Sequence, residues 1–264
     1  MEERVKDREL AQMGSASVAL VTHKEYICIR KSNASLVERN FYQVVAPMLV
    51  ARGVGIPELV DLTEQSLFLE YIPNKVSLAE LSSSRDAFAA LSAIHRLSHK
   101  HIESLKQHSW TDRDTNRALS RLSLPEKSQA MLCEMQKQAQ HLFDSDTLIS
   151  GDSNNGNWGR RDNGELVLFD WERFGYGHPA IDLAPLVKGM GAYSEYLAIA
   201  ERYVQINSQT DLQDLIRSLI LAKAWIAVEV VNILFERQNS MKDKYVDWYN
   251  STLPAWFKQI ERYL

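Results

Sequence analysis

Ser150-Gly151-Asp152-Ser153-Asn154-Asn155-Gly156-Asn157-Trp158, followed by Leu166-Val167-Leu168-Phe169-Asp170-Trp171-Glu172, is the stretch that decides how this chain folds. Asp152 and Asn157 stand five apart in a loop rich in Gly and Asn, and Asp170 closes an apolar strand thirteen residues after Asn157. A carboxylate leaving a hydrophobic strand, beside a loop that offers a carboxylate and an amide, suits a hard cation. Magnesium takes one or two side-chain oxygens and completes its shell with phosphate and water. The remaining carboxylate, Asp152, then suits the acceptance of a proton from an attacking hydroxyl. Each residue alone has a plainer reading, because loop Asp and Asn side chains usually satisfy their own backbone in turns. The joint pattern argues for chemistry: a D-x4-N loop, four apolar residues, then D-W-E.

Around that stretch lies an ordinary globular composition. The chain has 264 residues and a formal net charge of −4, with 45% hydrophobic and 24% charged residues, which excludes a disordered or collagen-like chain. Slight acidity argues against a broad nucleic-acid-binding surface. The two cysteines, Cys28 and Cys133, form no CxxC pair and suggest neither a zinc ribbon nor a disulfide framework. Met1 to Arg4 is charged and has no apolar run after it, so no signal peptide is expected. Ser218 to Phe235 is apolar but carries Lys223, Glu229 and Asn232, and so reads as a buried helix rather than a membrane span. The expectation is a reduced, cytoplasmic protein with no membrane or nucleic-acid partner; its oligomeric state stays open.

The first seventy residues read as strand-rich. Ser17 to Val21 and Tyr26 to Arg30 form a hairpin, a helix runs from about Ala34 to Arg52, and Leu59 to Leu62 with Ser66 to Tyr71 form a second hairpin. After Pro73 the sequence turns helical. Ser83 and Asp86 predict a capping box for a helix carrying Phe88, Leu91, Ile94 and Leu97. Arg160 to Gly164 reads as a hairpin turn. The expected architecture is α+β, with a small lobe over residues 1–72 and a larger, mostly helical lobe over 73–264. A cleft between two lobes is a common place for a small-molecule site.

The decisive stretch resembles the catalytic loop and metal-binding Asp of the aminoglycoside phosphotransferase and choline kinase superfamily. Those enzymes show H-G-D-x-x-x-x-N, then I-D-W-E or I-D-F-E, then G-D-P-x-x-D-L-A. The third element here is Gly177-His178-Pro179-Ala180-Ile181-Asp182-Leu183-Ala184. The resemblance spans nearly the whole chain and implies a protein-kinase-like fold with ATP and magnesium as cofactors. It makes Asp152 the catalytic base, gives Asn157 and Asp170 the metal, and makes Asp182 a structural support of the loop. One departure stands out: the His that usually precedes the base by two residues is Ser150, so a differently supported loop is expected.

In the first lobe the resemblance assigns Tyr26-Ile27-Cys28-Ile29-Arg30 to the strand that carries the phosphate-contacting cation. Strand alternation puts Cys28 and Arg30 on one face and Lys31 on the other. Arg30 is expected to reach the phosphates and Cys28 to line the adenine pocket, with Lys31 as the alternative cation. Glu38 would pair with Arg30, although Ser35 and Glu38 also read as a capping box. Gly14, Ser15 and Ser17 would belong to the loop over the phosphates. Glu70-Tyr71-Ile72 would form the hinge that meets adenine, with Glu70 and Ile72 as nucleotide contacts.

For the acceptor, Trp171 and Glu172 follow the metal Asp, and a carboxylate beside an aromatic ring suits a cation such as choline or the thiazolium of thiamine. Glu229 lies four residues after Trp225 on one face of an apolar helix, where a charge needs a partner or a ligand. The expected partner is therefore a small-molecule alcohol acceptor, cationic in the first reading. An aminoglycoside is the alternative acceptor, and a non-catalytic nucleotide-binding module the alternative class. His95, His99, His101 and His108 lack an H-E-x-x-H pattern and read as a solvated helix end rather than a metal site.

Overall fold

The computed structural model describes residues 8–9, 17–98 and 102–264. Strands β1 (Arg8–Glu9), β2 (Ser17–His23) and β3 (Tyr26–Ser32) are joined later by β4 (Leu59–Leu62) and β5 (Ser66–Glu70) in an antiparallel sheet ordered β1-β2-β3-β5-β4. The β2–β3 turn is only Lys24-Glu25, both at positive φ, the geometry that matches the twist of a tight hairpin.

The single helix expected from about Ala34 to Arg52 is three pieces: α1 (Leu36–Asn40), a π turn over Phe41–Val45, and α2 (Ala46–Val50). Pro47 has no N–H to continue an α ladder, and just before it the Ala46 N–H reaches back five residues to the Phe41 carbonyl. This turn buries Phe41, whose ring stacks on Trp171 at 4.0 Å between centroids. The helix beside the first sheet is thereby clamped to the segment that follows Asp170.

The helical part begins with β6 (Asn74–Lys75), α3 (Leu78–Ser83) and α4 (Arg85–His95). The cap of α4 is Ser84, not Ser83: its backbone is extended and its Oγ accepts from the Ala87 N–H, while Ser83 ends the preceding helix. Then follow β7 (Lys106–Gln107), α5 (Asp112–Leu119), α6 (Glu126–Gln138), β8 (Leu148–Ile149), β9 (Trp158–Arg160) and β10 (Leu166–Leu168). The last elements are β11 (Gly175–Tyr176), α7 (Ala180–Leu183), α8 (Tyr193–Ile206), α9 (Leu212–Glu236) and α10 (Lys242–Ile260). Two small sheets frame the decisive stretch: β9 and β10 of the sheet β10-β9-β6 hold part of it, and β8 and β11 of the sheet β7-β11-β8 lead into and out of it.

Helix α9 packs against α5, α6, α7, α8 and α10. It is long and apolar enough to cross a membrane, and 72% of its apolar window is buried inside the fold, which accounts for its composition. The expected hairpin at Arg160 to Gly164 is present, with β9 and β10 antiparallel and the Arg161 N–H donating to the Glu165 carbonyl.

Candidate active site

Asp182, at the first turn of α7, organises the loop that carries Asp152. Its fully buried carboxylate accepts from the Ser150 N–H at 2.7 Å, the Ser150 hydroxyl at 2.9 Å and the Gly151 N–H at 2.8 Å. His95 Nε2 lies 3.1 Å from the same carboxylate, and its Nδ1 lies 2.7 Å from the Tyr203 hydroxyl. A buried carboxylate needs such a set of donors, because each unanswered lone pair would cost free energy. Position 150 thus contributes a hydroxyl to Asp182, and the imidazole on that carboxylate comes from His95 of α4. His95 is buried rather than solvated, contrary to the sequence expectation. It sits seven residues after Phe88 and four after Leu91, on the apolar face of its helix.

His108 is buried as well, with Nε2 3.0 Å from the Arg173 carbonyl. Burial and the nearby Arg173 charge push it down to about 4, so it is neutral and donates to that carbonyl. His99 and His101 lie outside the described residues. Gly151 has φ of +77°, and a Cβ there would lie 2.3 Å from the Arg173 carbonyl oxygen. Only glycine lets the loop pass so close to the segment after Asp170.

Across the cleft, Lys31 bridges the two parts of the molecule. Its ammonium donates to Glu38 at 2.6 Å and to Asp170 at 2.9 Å. Burial works against that charge, but the two carboxylates outweigh it and hold Lys31 above the ordinary lysine value. Glu38 is therefore the helix acid expected, but its partner is Lys31, not Arg30. Ser35 Oγ accepts the Glu38 N–H, so half of the capping box forms while the Glu38 carboxylate turns to the lysine.

The reason lies in the sheet register. Val18 pairs with Lys31 and Leu69 with Ile29, and all four line the cleft. Cys28 faces the other way, sealed among Ala19, Val21, Val60 and Phe68, and alternation puts Arg30 on that outer face too. Neither Arg30 nor Cys28 reaches the cleft. Ser17 is not in a loop: it opens β2 and pairs with Ser32. Gly14 and Ser15 lie outside the described residues.

Asp152 and Asn157 sit on one loop facing Asp170. The Asn157 amide donates to the Asp152 carbonyl oxygen at 2.8 Å, and Asn154 donates to the Asp152 carboxylate at 2.6 Å. The Phe169 N–H donates to the Asn157 carbonyl at 2.9 Å and so ties the loop to the strand that delivers Asp170. Asp170 itself has φ of +67°, a region Asp tolerates better than most residues. Burial raises Asp152 above the ordinary carboxylate value, while Arg173 pulls it back. Asn157 and Asp170 both line the cleft and offer an amide and a carboxylate oxygen. Among the described residues no cluster of three or more His, Cys, Asp or Glu could hold a metal alone. An amide and a carboxylate oxygen are the kind of protein donors magnesium takes when its shell is completed by other oxygens.

The segment after Asp170 departs from expectation. Trp171 is fully buried, stacked on Phe41 with its Nε1 donating to the Leu168 carbonyl at 3.2 Å, so it offers no face to an acceptor. Arg173 points into the cleft instead. It donates to the Gly151 carbonyl at 3.0 Å and to both Glu229 oxygens at 2.8 and 2.7 Å. Glu229 lines the cleft as expected, but its charge is answered by this arginine; Glu172 lines the same space. The expected hinge, Glu70-Tyr71-Ile72, also lines it. There the Glu70 carboxylate takes a bidentate grip on Arg161 at 2.7 and 2.6 Å. The whole cleft encloses about 750 Å³.

The model of the phosphotransferase enzyme family matches residues 9–212. Among solved structures, an APH(2″) enzyme in complex with GDP and kanamycin aligns at a TM-score of 0.71 and 14% identity, covering 97% of this chain and 94% of that one. The macrolide 2′-phosphotransferase MphH from Brachybacterium faecium aligns at 0.63 and 12%, covering 91% and 90%. LicA in complex with AMP aligns at 0.63 and 16%, covering 99% and 93%. At such identities the likeness is one of fold. A comparison with curated proteins finds no match.

Proposed function

The chain belongs to the phosphotransferase enzyme family, with an α+β, protein-kinase-like fold, and from that premise we propose that it transfers the γ-phosphoryl group of ATP, with magnesium, to a hydroxyl of a small molecule. Residues 1–72 would hold the nucleotide and 73–264 the acceptor, in the cytoplasm. One observation carries this reading: Lys31 reaches both Glu38 and Asp170 beside Asp152. The GDP and AMP bound to structural neighbours support a nucleotide in the cleft.

The residues divide the work. Lys31 would face the phosphates, and Asn157 and Asp170 would hold magnesium. The bound ion supplies charge neutralisation on the phosphates, the main need of phosphoryl transfer. Asp152 orients the acceptor hydroxyl and accepts its proton at the carboxylate. Arg173, clamped by Glu229, fixes the Gly151 end of the loop so that Asp152 keeps its aim. The Trp171–Glu172 pair expected for a choline- or thiamine-like cation does not form, because Trp171 belongs to the core while Glu172 lines the cleft without it, and Glu229, also in the cleft, is answered by Arg173.

The test is ADP release with Mg·ATP across a panel of choline, ethanolamine, thiamine, homoserine, aminoglycosides, a macrolide and carboxylate-bearing alcohols. An acceptor that drives turnover should lose at least about a hundredfold in kcat with Asp152→Asn while nucleotide binding is kept. Turnover unchanged by Asp152→Asn would overturn the assignment. Nucleotide binding without turnover on any acceptor would favour a binding module.

A further inference from the structure

Beyond Asp152 the cleft changes character. Its far wall is built by Val187 and by Trp225, Ile226, Val230, Ile233 and Leu234 from successive turns of α9. At the mouth, Tyr245 and Trp248 stand on one face of α10, with Met241 capping its start, each 39–43% exposed. Tyr245 lines the cleft, and Trp248 packs beside Gly189, another lining residue. An apolar trough with an aromatic rim fits a carbon skeleton rather than a strongly hydrated polycation.

The charges in this part of the cleft point the same way. Asp170 is committed to Lys31 and Glu229 to Arg173, and Glu172 adds its field to that same arginine. The cations are less well answered. Lys223 lines the cleft from α9, is 6% exposed, and donates to the Val187 carbonyl at 2.8 Å. Among the described residues it has no carboxylate within ion-pair distance. An ammonium carries three donors, so a buried one with a lone backbone carbonyl has capacity for a ligand and a desolvation cost that an anion would offset. That burial pushes Lys223 down to about 7, against the field of the Glu195 carboxylate, which lies beyond ion-pair distance and pulls it back only in part. Arg237, at the end of α9, stands exposed at the mouth of the same space.

Resting on the phosphotransferase reading, we propose that the acceptor is an amphiphilic alcohol bearing an anionic group. Its hydroxyl meets Asp152, its apolar body lies along α9 between Val187 and Tyr245, and its oxyanion takes the remaining donors of Lys223. The site then selects against ammonium-bearing alcohols.

Three probes share a hydroxyl on an apolar chain and differ at the far end, which is anionic, neutral or cationic: 8-hydroxyoctanoate, 1,8-octanediol and (8-hydroxyoctyl)trimethylammonium. Each is titrated calorimetrically into the full chain, with and without Mg·ADP. The carboxylate should bind at least about tenfold tighter than the other two, and Lys223→Met should remove about that factor for the carboxylate while leaving the diol unchanged. Lys223→Arg should keep part of the preference. A lysine that merely ties Val187 to α9 would shift all three probes together, which would overturn the proposal. So would tighter binding of the ammonium or the diol, or no binding of any probe. Failure to bind Mg·ADP would instead overturn the phosphotransferase reading, while the probes titrated without nucleotide still report the charge preference.

Discussion

The two ends of one cleft are built by opposite rules. At the end proposed for the phosphates, charges are answered by near neighbours: Lys31 by Glu38 and Asp170, Arg173 by Glu229, and Asp182 by two backbone N–H groups, a hydroxyl and an imidazole. At the end proposed for the acceptor the wall is apolar, and the buried Lys223 ammonium donates to a single carbonyl. The first arrangement fixes atoms where charge must develop, so its members depend on one another. The second is a shaped apolar surface with one electrostatic marker, so its members are separable. Substitutions at the phosphate end should therefore cost function or stability, and those at the acceptor end should change preference.

The largest expected effect is at Lys31. Lys31→Ala leaves Glu38 and Asp170 facing each other without their cation, and kcat/KM for ATP should fall by about 10²–10³. Arg30→Ala, one residue away on the outer face of the sheet, should leave it within about twofold. Equal losses from the two variants would contradict the register described for β3.

A smaller effect is expected from restoring the usual imidazole at position 150. Ser150 is 2% exposed and its hydroxyl already bonds Asp182, while His95 occupies the neighbouring side of that carboxylate. Ser150→His should overpack the site and lower stability by about 1–3 kcal/mol without raising kcat, as read by thermal melting and steady-state rates. A faster enzyme would mean that an imidazole at position 150 is accommodated beside His95.

The smallest effect carries the opposite sign. Lys223→Met exchanges a buried ammonium for an apolar chain of similar length and should stabilise by about 1 kcal/mol, a rise of roughly 2–4 °C in Tm at this chain length. A fall in Tm would make Lys223 a structural tie and bring the acceptor end under the same rule as the phosphate end.

The same contrast governs what the sequence made legible. Asp152, Asn157 and Asp170 could be placed because their spacing along two adjoining segments carries the constraint directly. Asp182 as the support of their loop followed only from the family resemblance, and its carboxylate does hold that loop. Both hairpins of the first sheet and the buried character of α9 followed from local patterning. Alternation separated Arg30 from Lys31, yet the choice of face depended on the packing of Cys28 with Ala19 and Val21 from a neighbouring strand. Trp171 was expected toward the acceptor because it follows Asp170, but it stacks in the core on Phe41, and Arg173 reaches the cleft in its place. His95 lies 55 residues before Ser150 in sequence, so no spacing links them. Its place on the apolar face of α4, in register with Phe88 and Leu91, was the available signal.

The central claim is that Lys31, Asn157 and Asp170 together hold a magnesium nucleotide. Calorimetric titration of ATP into the wild-type protein and into Asp170→Asn, each with and without magnesium, tests it without knowledge of the acceptor. The account predicts saturable binding that requires magnesium and weakens at least about tenfold in Asp170→Asn, because a carboxylate ligand becomes a neutral amide. Absence of binding, or binding indifferent to both magnesium and the substitution, would contradict it.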